Sequence, residues 1–64
     1  MKHTFREWRR LKEMSQQELA DRVGVHVNTI CNWEEHPETM TIGRALDVVE
    51  ALGVTIDDVI FLHQ

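Results

Sequence analysis

A chain of 64 residues holds one small domain. Surface scaling gives about 4,200 Å² exposed when folded against about 10,900 Å² unfolded, which leaves one modest core and no room for an elaborate active site. Its 42% hydrophobic and 28% charged residues exclude disorder. The net charge of −4 does not exclude an anionic partner, because residues 1–24 balance to +2 and residues 25–64 to −6, a split that permits one basic and one acidic face.

The punctuation predicts an all-α domain spanning 1–64, a compact bundle of five short helices. Thr4-Phe5-Arg6-Glu7 is a capping box, and Phe5, Trp8 and Leu11 continue it as an apolar stripe at helical spacing. Ser15-Gln16-Gln17-Glu18 is a second capping box, with Leu19, Ala20 and Val23 on one face and Gly24 as the stop. A third helix runs from about Val27 to Glu35 with Ile30 and Trp33 inward, and Pro37 forbids much continuation. Thr41 caps a fourth (Ile42, Ala45, Leu46, Val49, Leu52), which Gly53 ends. Thr55-Ile56-Asp57-Asp58 opens a short fifth helix carrying Val59, Ile60, Phe61 and Leu62.

Residues 15–35 carry the functional signal. Two short helices joined through Gly24, Val25 and His26 form a helix-turn-helix arrangement, in which a small residue such as Ala20 is needed where the helices cross. The string Phe5…Trp8-Arg9…Met14-Ser15-Gln16-Gln17-Glu18-Leu19-Ala20…Val23-Gly24-Val25…Thr29-Ile30…Trp33-Glu34, with Ala51-Leu52-Gly53-Val54-Thr55 downstream, resembles the lambda repressor/Cro-type helix-turn-helix family over about residues 4–62. The resemblance implies a third helix that lies in the DNA major groove. At 100° per residue Asn28, Cys31, Asn32 and Glu35 share one side of that helix. Asn28 and Asn32 suit adenine edges, Val27 suits a thymine methyl, and Cys31 is a small side chain against the DNA. Without the resemblance, the two asparagines read as a solvated helix face.

The resemblance also makes Gln16 a phosphate ligand that braces the reading helix, and makes Arg9 and Glu34 an internal ion pair. His26 stands where the family usually has Ser or Thr, so it is an unconventional N-cap with a ring that can reach a phosphate. The loop Glu35-His36-Pro37-Glu38 would repel the DNA backbone, so phosphate contacts fall to Gln16, His26, Arg10 and Arg22, with Lys2 and Arg6 as further sources. The apolar residues Ile56, Val59, Ile60, Phe61 and Leu62 exceed what one short helix can bury, and the remainder reads as a homodimer interface.

The expected function is a sequence-specific double-stranded DNA-binding regulator of phage or bacterial Cro/repressor type. It would act in the cytoplasm by occupying a palindromic operator as a dimer, without a cofactor. Two alternatives stand beside it: a protein-binding module, antirepressor or antitoxin-like, that uses the acidic surface, and the N-terminal domain of a longer repressor. The chain has no paired carboxylates, Ser/His/Asp set or phosphate-binding glycine loop, so no enzyme is expected. His3, His26, His36 and His63 lack metal-ligand spacing, the lone Cys31 has no disulfide partner, and no segment reads as membrane-spanning.

Overall fold

The computed structural model describes residues 2–61. Four α-helices, α1 (Phe5–Leu11), α2 (Gln16–Val23), α3 (Val27–Glu35) and α4 (Ile42–Leu52), are accompanied by two single 3₁₀ turns, Pro37–Thr39 and Ile56–Asp58. The helices begin where the sequence punctuates them. In the first box the Glu7 N–H donates to Thr4 Oγ1 at 3.2 Å and the Thr4 N–H to Glu7 Oε1 at 2.9 Å; in the second, the Glu18 N–H donates to Ser15 Oγ at 3.0 Å. Each box satisfies two of the donors a helix start leaves open. The N–H of Arg44 donates to Thr41 Oγ1 at the head of α4.

Phe5, Leu19, Ala20, Ile30, Ala45, Val48, Val49, Leu52 and Val59 form the core with Met14. Ala20 is fully enclosed at the α2–α3 crossing, where a larger side chain would force the helices apart. Trp8, Val25, Val27 and Trp33 are half-buried against this core. The apolar stripes are narrower than their sequence spacing predicts: Leu11 at the end of α1 is 59% exposed, and Ile42 and Leu46 on α4 are 73% and 50% exposed. On α4 the inward set is Ala45, Val48, Val49 and Leu52.

Among the described residues the expected fifth helix is reduced to the single 3₁₀ turn Ile56–Asp58. After the turn Ile56–Asp58 the backbone of Val59 is extended (φ −111°, ψ 135°) and makes a parallel bridge with His3. The Asp58 carbonyl accepts from the His3 N–H at 3.1 Å and from the Trp8 indole at 2.8 Å, and the Ile60 N–H donates to the His3 carbonyl at 2.9 Å. These bonds consume the groups a further helical turn would need. Val59, 6% exposed, is therefore a core residue, and Phe61 packs edge-on against Phe5 with ring centroids 5.2 Å apart. Leu62 lies outside the described residues.

Candidate nucleic-acid interface

The α2–α3 connection is short because Gly24 ends α2 in the left-handed region (φ 82°, ψ 34°), where residues with a Cβ are strained. The N–H groups of Gly24 and Val25 both return to the Ala20 carbonyl, at 2.8 and 3.0 Å. His26 caps α3 in an unusual way: its Nδ1 accepts from the Asn28 N–H at 3.1 Å. That bond requires a neutral ring protonated at Nε2, which leaves Nε2–H as a donor on an exposed side chain.

Arg9, Glu34 and Gln16 hold α3 from behind. The Glu34 side chain is 1% exposed, and Arg9 Nε donates to its Oε2 at 2.6 Å. Arg9 Nη2 reaches Glu34 Oε1 at 3.3 Å, while Nη1 donates to the Met14 carbonyl at 2.9 Å. Gln16 Nε2 donates to Glu34 Oε1 at 3.0 Å, and Arg6 Nε stands 3.6 Å from the same oxygen. One carboxylate on α3 thus ties α1 and α2 to that helix, and its burial is compensated by a charged partner and further donors, as a buried charge requires.

The front of α3 presents Asn28, Asn32 and Glu35 as exposed side chains. Val27 and Cys31 share this helix but are half-buried: Val27 packs on the core, and the Cys31 thiol donates to Gln16 Oε1 at 3.3 Å. This Cys31–Gln16 link and the approach of Arg6 to Glu34 have no signal in the sequence, since both depend on the rotation of one helix against another.

The expected phosphate ligands are scattered. Gln16 opens α2 beside Cys31 and Glu34, His26 caps α3, and Arg10 is exposed on α1. Arg22 is exposed near the end of α2 and lines a groove of ≈ 370 Å³ with Asp47 and Glu50 of α4. His36 stands 3.5 Å from Glu38 in the acidic loop after α3. Among the described residues no three His, Cys, Asp or Glu side chains are grouped to hold a metal, and no helix is long and apolar enough to cross a membrane.

A sequence model of the helix-turn-helix family matches residues 5–59, from the first residue of α1 to the core residue Val59. No curated protein and no solved structure matches the chain. The family match covers the second capping box, the glycine turn and the Arg9–Glu34 clamp together, and by it the chain belongs to the lambda repressor-like helix-turn-helix family of DNA-binding regulators.

Proposed function

We propose that the protein is a sequence-specific regulator of transcription, of phage or bacterial Cro/repressor type, that acts by occupying a palindromic operator as a dimer. The carrying observation is that α3 is clamped from behind by Arg9, Glu34 and Gln16 while Asn28 and Asn32 stay exposed on its front. A rigid helix with two amide side chains outward suits direct readout of adenine edges, worth about 1–3 kcal/mol of discrimination for each bidentate contact. Val27 lies at the flank of that readout. Gln16, the His26 Nε2–H and Arg10 contact phosphates, which positions the helix without reading sequence.

The dimer reading is supported by an apolar surface. Pro37, Met40, Ile42, Ala45 and Phe61, with Glu38 at the rim, line a groove of ≈ 310 Å³, and Leu46 stands one helical turn beyond Ile42. Ile56 and Ile60 are half-buried at the C-terminal segment. The site of action is the bacterial cytoplasm, or that of a phage-infected host.

Selection of random duplex DNA, with Asn28→Ala in parallel, tests the proposal. The expected result is an enriched palindromic motif that the variant loses or relaxes at one position of each half-site. Enrichment untouched by Asn28→Ala would remove α3 as the reading element, and no enrichment at low salt would remove the function. That last outcome would favour a second reading, an antirepressor or antitoxin-like module. Its support is the exposed Glu35 and Glu38 beside α3 and the acidic surroundings of Arg22.

A further inference from the structure

We propose that Cys31 is a positioning residue for DNA backbone binding: its thiol fixes the Gln16 carboxamide so that one amide N–H is left facing outward for a phosphate. The inference rests on the DNA-binding reading and gives Cys31 a role through Gln16 in place of a base contact.

The argument begins with the carboxamide. Its oxygen and nitrogen ends have the same shape, so only the hydrogen bonds decide which way it points. The buried Glu34 carboxylate is engaged by Arg9 and accepts but cannot donate. Gln16 must therefore turn its NH₂ towards Glu34, as the 3.0 Å bond to Oε1 records. Its Oε1 consequently faces α3, where the Cys31 thiol donates to it at 3.3 Å. Two bonds at opposite ends of a planar group define its plane, whereas a single bond leaves it free to swing about the Glu34 oxygen. An NH₂ carries two protons. Glu34 takes one, and among the described residues nothing accepts the other.

Gln16 is the first residue of α2 and is only half-buried, so the second proton has a path to solvent. Cys31 lies on the same helix as Asn28 and Asn32, yet its one donor is spent on Gln16 and it is itself half-buried. Its influence on DNA binding is thus on affinity and not on sequence, as for any contact routed to the backbone. Because the amide is neutral, the contact releases no counterion and leaves the salt dependence unchanged.

Fluorescence anisotropy on the selected duplex and on single-base variants of it, with wild type, Cys31→Ala, Cys31→Ser, Gln16→Ala and the Gln16→Ala/Cys31→Ala pair, tests this. Cys31→Ala is expected to weaken binding about two- to tenfold, the range of one hydrogen bond, equally on every duplex and with the same salt slope. Cys31→Ser restores binding because the hydroxyl also donates, and Cys31→Ala has no further effect once Gln16 is Ala. A changed preference at one base position, an equal loss in the Gln16→Ala background, or no loss would each overturn the inference. NMR of the free protein gives a readout independent of DNA: the Gln16 Nε2 proton shifts depart from those of a solvated glutamine in wild type and Cys31→Ser and move towards them in Cys31→Ala. Identical Gln16 resonances in wild type and Cys31→Ala would also overturn it. Wild type that fails to bind any duplex removes the DNA-binding reading itself; wild type that binds while Cys31→Ala is silent removes this inference alone.

Discussion

Glu34 is the residue through which α1 and α2 hold α3. Its side chain is 1% exposed, and an ionised carboxylate so placed is tolerable only while its donors remain. Arg9→Ala is expected to cost about 3 kcal/mol, because it leaves a buried charge with Gln16 and a half-exposed Arg6. Urea unfolding measures this, and a loss under about 1 kcal/mol would show that Arg6 and water replace Arg9. Exposed carboxylates behave differently. The Thr4 N–H holds the Glu7 carboxyl below its ordinary value of 4.5, and the Thr55 N–H likewise holds Asp58 below 3.8. Groups lowered by folding stabilise above their unfolded values and lose that contribution as pH falls through the folded ones. The stability decline should therefore fall below about pH 4, with NMR titration giving both midpoints under the ordinary values. Midpoints at or above those values would show that the caps are open in solution. The Arg9–Glu34 pair was legible because two residues of a recurring pattern imply it. The Cys31–Gln16 contact was not, because a thiol and an amide fifteen positions apart carry no pairing signal until the helices are packed.

At the scale of elements, starts were more legible than stops. Thr4, Ser15 and Thr41 cap their helices as their spacing predicts, since a cap is local chemistry between residues three apart. The end of α1 is different. It is closed by Glu13 at φ 54°, a left-handed position that glycine would occupy at less cost. Glu13→Gly should stabilise by about 0.5 kcal/mol, whereas Gly24→Ala should destabilise by about 1 kcal/mol. Both are read from thermal unfolding, and a stabilising Gly24→Ala would contradict the left-handed turn. No neighbour lies within 4 Å of a Cβ built at Gly24, so the cost is backbone strain alone. The reduced fifth helix has the opposite cause. Asp57 and Asp58 supply a good helix start, but Val59, Ile60 and Phe61 are β-branched or aromatic and favour extended backbone. The decisive partners, His3 and Trp8, come from the far end of the chain. A long-range backbone pairing of this kind leaves no periodicity to detect.

The whole molecule raises the question of when two copies meet. Ile42 and Leu46 are 73% and 50% exposed beside the apolar groove, and burying each contributes about 1.5 kcal/mol. Four such side chains across a two-fold axis supply about 6 kcal/mol, near the low end of the roughly 4–15 kcal/mol that association costs in lost freedom. On the proposed dimer reading, the surface is too small to hold a free dimer, yet large enough to matter where DNA would bring two copies together. Sedimentation should therefore show a monomer in free solution at about 10 µM, well below the dissociation constant of about 30 mM or weaker that so small a surplus allows. Binding to a palindromic duplex should be cooperative, because the second copy then arrives at a high effective concentration. Ile42→Glu is the suitable probe. It removes half the apolar contact and adds a charge near Glu38, and so exposed a side chain contributes little to folding. Val59, enclosed in the core, would confound assembly with unfolding. The expected result is an unchanged melting temperature and unchanged affinity for a single half-site, with loss of cooperativity on the palindrome. Cooperativity that survives Ile42→Glu would place the contact between copies at Ile56, Ile60 and Phe61 instead.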